Sequence, residues 1–296
     1  MKLLITALPA LALLVSCAQA HNARLKIYHH SASESAMFSV SSLIVGNKEA
    51  MVVDAPFTNS AALSLIEFIK NTTNVPVTKI FATHEHPDHY FGGTELLRAF
   101  PHASMFATPS VVKRIQKTVQ SKVGEWRPVY GPTEIPEHPD IPKPFTSGTI
   151  KLRGNEKEFI HLLKPLQGDV DDIAVVWIPS QKTLITGDLV YSKNQHVWLA
   201  ESRDKKSRKN WIASLNYIQS LKPRRVIGGH VPIGAKPMVS DIQGTKDYIE
   251  YFNRNIFDKG YTAQQISDKI SRKYPNRQAP IMLNVTAQTY GQEKRQ

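Results

Sequence analysis

Four side chains that can ligate a metal ion lie within six positions of the chain, in the pattern His84-x-His86-x-Asp88-His89. Neutral imidazole and carboxylate are ligands that Zn²⁺ binds readily in proteins. A water molecule held by zinc has its pKa lowered to about 7, so such a site can supply a hydrolytic nucleophile at neutral pH. The alternative is an exposed turn that happens to be rich in histidine. The density of ligand-type residues favours the metal site.

The neighbouring sequence predicts that this group lies on a loop between a strand and a helix. Residues 77–82 alternate and contain β-branched side chains, which is typical of a strand. Two glycines at positions 92 and 93 then lead into a short amphipathic run that ends before Pro101. The candidate ligands therefore follow the C-terminal end of a strand, and a loop anchored there can turn several side chains toward one point.

The pattern at residues 84–89 resembles the signature of the metallo-β-lactamase superfamily. Three later motifs follow in the order of that family: a Gly-Asp pair ending in Asp169, a second one ending in Asp188, and Gly-Gly-His ending in His230. The resemblance covers about residues 25–231. It implies an α+β fold of four layers, the αβ/βα sandwich, in which two mixed sheets pack together with helices on their outer faces.

The resemblance also implies two metal positions and Zn²⁺ as the cofactor, with one or two ions per chain. The ligands of the first position would be His84, His86, Asp169 and Asp188, and those of the second Asp88, His89, Asp188 and His230. Asp169 stands where the family usually has the histidine of a Gly-His-Thr motif. It could ligate through oxygen, or the first metal position could be weak or empty.

The function that the resemblance implies is a zinc-dependent metallo-hydrolase, in which a metal-bound hydroxide attacks an ester or lactone carbonyl. Asp88 is the expected catalytic residue, because a carboxylate beside the metal can orient the nucleophile or pass a proton to the leaving group. Asp188 matches the bridging carboxylate of the glyoxalase II-like and lactonase-like branch. Three alternatives stay open: a β-lactam hydrolase, a non-haem iron oxidoreductase of the same fold, and a non-catalytic metal-binding or surface-binding protein.

Aromatic and imidazole side chains that follow Asp188 are predicted to contact a small-molecule substrate. They are His196, Tyr191 and Trp198. His196 is also a candidate replacement for the missing histidine ligand. A stretch with six prolines, from residue 128 to residue 144, is expected to be neither a helix nor a central strand. It predicts a long ordered loop or a lid over the site.

The N-terminus predicts export from the cytoplasm. A lysine, an apolar run over residues 3–15 and the small residues at 18–20 form the pattern of a signal peptide that covers residues 1–20. Residues 14–17 also resemble a bacterial lipobox, so a lipid anchor at Cys17 is the alternative to a freely secreted or periplasmic protein. Cys17 is the single cysteine, which excludes disulfides. Export argues against intracellular thioesters as substrates.

Composition indicates an ordinary globular protein, with 41% hydrophobic and 21% charged residues. The formal net charge is +12, but the basic residues are scattered apart from residues 203–209, where no aromatic residue is interleaved. Nucleic-acid binding is therefore not expected, and neither is a transmembrane segment. We predict one metallo-β-lactamase-like domain over residues 21–239. A C-terminal helical extension over residues 240–296 would pack on the same domain.

Overall fold

The computed structural model describes residues 24–163 and 165–292 of the chain. The predicted signal peptide and Cys17 lie outside the described residues. In the part of the chain that is described, the backbone forms two sheets with helices packed against them.

The first sheet contains six strands in the spatial order in which they occur along the chain. They are β1 (Lys26–Ser31), β2 (Val40–Val45), β3 (Ala50–Val53), β4 (Val77–Phe81), β5 (Ser104–Ala107) and β6 (Lys143–Pro144). Strands β1 to β3 pair antiparallel, whereas β3 to β6 pair in parallel. Parallel neighbours need crossover connections. Helices supply them: α1 (Asn59–Thr72), α2 (Gly93–Ala99) and α3 (Pro109–Tyr130).

The second sheet contains five strands in the order β11-β10-β9-β8-β7. They are β7 (Thr149–Ile150), β8 (Ile160–Leu162), β9 (Val176–Ile178), β10 (Thr183–Ile185) and β11 (Arg225–Ile227). All pairs are antiparallel except β10 with β11, which are parallel and are connected through helix α4 (Lys205–Ser220). Both sheets are therefore mixed, as predicted.

Alternation along the strands divides the apolar residues between an inner and an outer layer. In β4, Phe81 joins the core between the sheets, whereas Ile80 packs with Leu65 of α1 on the outer face. In β10, Ile185 faces the same inner core and Leu184 packs in the cluster that contains Trp211 of α4. Helix, sheet, sheet and helix thus form four layers, which confirms the predicted αβ/βα sandwich.

Helix α3 extends further than the sequence predicted, because Pro128 lies inside its last turn. The expectation of a loop from residue 128 onward was wrong at this end. A proline removes one backbone hydrogen bond, and aromatic side chains of this part of the helix pack against the core. The ring of Phe57 packs edge-on against Trp126 and Tyr130, with ring centroids 5.5 and 4.9 Å apart.

Three helices follow residue 240: α5 (Asp241–Asn255), α6 (Ala263–Lys273) and α7 (Pro280–Tyr290). The sequence predicted the first two and missed α7, whose apolar residues are not confined to one face. All three contribute to the same hydrophobic cluster as α3 and α4. None of the helices in the described residues has the length and apolar character that crossing a bilayer requires.

Candidate metal centre

The candidate ligands meet because the strands that precede most of them end at one edge of the sandwich. Residues 84–89 follow β4, and Asp188 and His230 follow β10 and β11. Since β10 and β11 are parallel neighbours, their C-terminal ends bring Asp188 Oδ2 to 3.0 Å from His230 Nε2. Asp169 comes from the loop that precedes β9. The indole N–H of Trp211 donates to the carbonyl of Leu189 at 2.9 Å and so supports the Asp188 turn.

Two groups of ligand-type side chains form at this edge, and within each group the ligand atoms lie within 4.8 Å of one another. The first group is His84, His86, Asp169 and Asp188, and the second is Asp88, His89 and His230. Asp188 also reaches the second group, since its Oδ1 lies 3.1 Å from His89 Nε2. All seven residues are buried. The structure thus brings together every metal ligand that the sequence predicted, Asp169 included, in a dinuclear-type arrangement.

Three of the four histidines use Nδ1 to contact a neighbouring protein group, which leaves Nε2 facing the ligand groups. The pairs are His84 with Thr83 Oγ1 at 2.9 Å, His89 with Asp54 Oδ2 at 2.9 Å, and His230 with the carbonyl of Met37 at 2.7 Å. Such outer contacts set the tautomer and orientation of a ligand histidine. His86 is reversed, with Nδ1 lying 3.1 Å from Asp169 Oδ2.

Asp54 braces the loop and is not a member of either ligand group. Its Oδ1 accepts the backbone N–H of Thr83 at 2.7 Å and its Oδ2 accepts the Thr83 hydroxyl at 2.9 Å. Burial raises the pKa of Asp54, although His89 and Thr83 oppose the shift. Asp54 has a φ of 63°, a left-handed conformation that is uncommon outside glycine.

The donor atoms fit a divalent metal ion. Within the described residues, His84 Nε2, His89 Nε2 and Asp188 Oδ1 are buried and lack a hydrogen-bond partner. An unsatisfied buried polar group costs about 1–3 kcal/mol, so these atoms fit the donor set of a cation-binding site. Burial is also the main cause that lowers the pKa of His84 well below its usual value. The neutral imidazole that results is the ligating form.

The two carboxylates of the first group interact unfavourably across a buried space. Burial raises the pKa of Asp169 to about 7, and the negative charge of Asp188 adds to this effect. Burial also raises the pKa of Asp188, but the imidazoles of His230 and His89 outweigh it and hold that pKa well below the usual range. A divalent cation would be the largest local charge and would offset this repulsion.

Two glycines allow the ligand loops to approach one another closely. A Cβ at position 229 would lie 1.9 Å from Asp188 Oδ1. Gly187 has a φ of +49°, and a Cβ there would lie 2.5 Å from Thr83 Oγ1. These contacts explain why glycine stands immediately before both Asp188 and His230.

A cleft opens above the two groups. Its walls are mainly apolar, and they are formed by Met37, Phe57, Trp126, Trp198 and Met282, with Lys122 and Glu201 as further charged residues. Trp198, a predicted substrate contact, is among the residues that line the cleft. The others were missed by sequence reasoning, because they come from five separate regions of the chain and carry no common local pattern.

Two of the predicted substrate contacts require correction. Tyr191 is fully buried beneath the ligands, where its hydroxyl lies 2.6 Å from Asp188 Oδ2 and its ring stacks on His230. It braces the centre from below and does not line the cleft. His196 is turned toward helix α5, with Nδ1 3.1 Å from the hydroxyl of Tyr248. It belongs to neither ligand group, so it does not replace the missing histidine.

The sequence model of the metallo-β-lactamase superfamily matches residues 35–230, which is more than half of the chain. The chain belongs to the metallo-β-lactamase superfamily. The match ends at His230 and so includes all seven members of the two ligand groups.

Solved structures of the superfamily share this fold. A metallo-β-lactamase from Pontibacter korlensis is 18% identical, with a TM-score of 0.53 over 77% of this chain and 99% of that chain. TMB-1 is 18% identical, with a TM-score of 0.55 over 78% and 98%. The DIM-1 metallo-β-lactamase is 20% identical, with a TM-score of 0.54 over 77% and 96%. At these identities the likeness shows the fold alone. No curated protein matches the chain.

Replacement of Asp169, the residue that departs from the superfamily pattern, is expected to affect the first metal group only. Asp169→Ala should weaken metal binding at that group, since it removes a buried carboxylate whose Oδ2 lies beside His86. Asp169→His should bind more metal than Asp169→Ala, because it supplies the imidazole that the superfamily usually has at this position. Metal per chain is measured by elemental analysis after dialysis.

The control for this experiment is Asp171→Ala, which removes an exposed carboxylate, 66% accessible, from the same loop. We expect that variant to keep the metal content of the wild type. Two tightly held metals in Asp169→Ala would show that Asp169 is not a ligand.

Proposed function

We propose that the chain is a zinc-dependent hydrolase that cleaves a neutral ester or lactone. The observation that carries this proposal is the pair of adjoining, buried ligand groups at the floor of an apolar cleft. Asp188 lies against both groups, as a carboxylate shared by two metal ions would. Zinc suits the mixed imidazole and carboxylate donors.

The metal site and Asp88 would have different roles in hydrolysis. When bound, zinc polarises the substrate carbonyl and lowers the pKa of a water ligand to about 7. Asp88 lines the cleft, and its Oδ2 lies 3.3 Å from His230 Nε2 and 3.5 Å from His89 Nε2. From there it can orient the attacking water, accept its proton and deliver that proton to the leaving group.

The charge of the cleft supports a neutral substrate. Among the described residues that line it, Lys122 is the one lysine or arginine. Its ammonium group is already paired with Glu201 at 3.5 Å and with Glu125 at 3.8 Å. A β-lactam carries a carboxylate that would need a free cation, whereas a neutral ester or lactone needs none. The aromatic rings of Trp126 and Trp198 offer apolar surface to such a substrate.

The test compares the purified full chain with the variant His84→Ala/His86→Ala. We expect the wild type to contain zinc and to hydrolyse a neutral aryl ester or a lactone in preference to a β-lactam. The double variant should lose the metal of the first group and more than about 100-fold of the activity, because it removes two direct ligands. Elemental analysis and initial rates on the three substrates provide the measurements.

The matched control is His102→Ala/His138→Ala, which removes two exposed histidines outside the centre. It should behave as the wild type does. Full hydrolysis by the metal-depleted double variant would refute the proposal. Turnover of the β-lactam alone would support the β-lactamase alternative, and bound iron with oxygen consumption would support the oxidoreductase.

A further inference from the structure

Glu201 reaches the candidate metal centre from outside the predicted ligand set. Its Oε1 lies 3.2 Å from His86 Nε2, and its side chain is 33% accessible at the wall of the cleft. The angle of this contact falls outside hydrogen-bond geometry, but the distance is short enough for an electrostatic contact between the ring nitrogen and the carboxylate. Glu201 is not close enough to the other ligands to belong to either metal group.

The imidazole of His86 lies between two carboxylates. Its Nδ1 is 3.1 Å from Asp169 Oδ2, inside the first ligand group, and its Nε2 faces Glu201. At His89 the same division occurs with the ring reversed, since Nδ1 contacts Asp54 and Nε2 faces the ligands. Glu201 thus faces the outer ring nitrogen of His86, as Asp54 faces that of His89, but the Asp54 contact is a hydrogen bond and the Glu201 contact is not.

We propose that Glu201 is a positioning residue, which holds the Nε2 side of His86 so that Nδ1 is presented to the metal of the first group. Carboxylates in this position fix the tautomer and ring orientation of a ligand histidine and make it more basic. The inference rests on the proposed function, since it assigns a role to Glu201 at the same metal centre.

The backbone around Glu201 is anchored, which sets the position of its carboxylate. The hydroxyl of the adjacent Ser202 donates to the carbonyls of Gly168 and Asp169, at 3.2 and 3.1 Å. The carbonyl of Ser202 accepts a hydrogen bond from the hydroxyl of Tyr290 in α7 at 2.7 Å. The segment is thus tied both to the loop that carries Asp169 and to the C-terminal helices.

The contact with Lys122 suggests a simpler role for Glu201, that of a surface ion-pair partner. A substitution at a second glutamate that pairs with Lys122 separates the two roles. Glu125 is 54% accessible and pairs with the same lysine at 3.8 Å. Glu125→Gln removes one negative charge beside Lys122 without touching the contact with His86. An exposed pair of this kind contributes little to stability.

The experiment measures metal affinity and spectra of the full-length chain, independently of any substrate. Zinc affinity is determined by competition with a chromophoric chelator, and the ligand field is read from the visible spectrum of the cobalt(II)-substituted protein. Glu201→Ala should bind the first-group metal about 10–100-fold more weakly and alter the cobalt spectrum. Glu201→Gln should recover only part of the affinity, because its amide oxygen keeps a partial negative charge beside Nε2 but lacks the full charge of the carboxylate. Glu125→Gln should match the wild type.

The outcomes distinguish this inference from the proposed function. Wild-type affinity in Glu201→Ala, or an equal loss in Glu125→Gln, would overturn the role of Glu201 and leave the hydrolase proposal standing. If the wild type binds neither zinc nor cobalt, both proposals fail. Thermal unfolding of the metal-free proteins shows whether Glu201→Ala folds. If it does not fold, Glu201→Gln decides, and wild-type affinity in that variant overturns the inference.

Discussion

Replacement of Asp188 by asparagine is expected to weaken metal binding at both groups and to abolish hydrolysis. The carboxylate of Asp188 lies 3.1 Å from His89 Nε2 and 3.0 Å from His230 Nε2, and it is also a member of the first ligand group. Asparagine keeps the shape but removes the negative charge that two cations would share. The loss of affinity should exceed the roughly 100-fold that follows removal of an outer contact.

Tyr191→Phe is the matched variant, because it removes the hydroxyl that lies 2.6 Å from the same carboxylate and leaves the charge in place. Metal per chain, zinc affinity and turnover are measured for both proteins. We expect Tyr191→Phe to retain both metals with a smaller loss of affinity. If Asp188→Asn kept two tightly bound metals, Asp188 would be a structural acceptor for Tyr191 and His230.

Replacement of Asp88 by asparagine is expected to lower kcat by about 10²–10⁴-fold, the usual contribution of a positioned acid or base. The fold and at least one metal should be retained, since asparagine keeps one acceptor oxygen and the first group does not include Asp88. The effect on kcat should therefore be much larger than the effect on metal content.

Glu85→Gln is the control for this second experiment. Glu85 belongs to the same loop, but its carboxylate pairs with Arg114 at 3.2 Å and lies outside both ligand groups. Steady-state kinetics and elemental analysis on the two variants separate a catalytic from a structural role. An unchanged kcat in Asp88→Asn would show that Asp88 only supports the loop.

The loops that carry the candidate ligands are held in place by residues that are distant in sequence. Asp54, which follows β3 directly, forms hydrogen bonds with Thr83 and His89 of the ligand loop after β4. Tyr290, near the end of the described chain, holds the segment that carries Glu201. The C-terminal helices also supply Met282 to the cleft. The C-terminal helices therefore contribute directly to the candidate site.

The sequence by itself indicated the candidate ligands, because they lie in local patterns, and it indicated the fold through the resemblance of those patterns to the superfamily. A strand that alternates, a ligand-rich loop and a glycine before each late ligand are visible without coordinates. Gly187 and Gly229 are needed because a Cβ would collide with Thr83 or Asp188. This steric requirement is visible in the sequence as a glycine directly before the ligand. The resemblance of these motifs, in their order, to the metallo-β-lactamase superfamily then implied the sandwich of two mixed sheets.

Only the tertiary structure decided which side chains surround those ligands. Glu201 meets His86 across more than 100 residues of chain, and Tyr191 and His196 turn inward although they follow Asp188 closely. Pro128 lies inside α3, in the same turn as Tyr130, whose ring packs against Phe57. These side-chain positions depend on close packing between elements that are distant in sequence, so they cannot be read from a local sequence pattern.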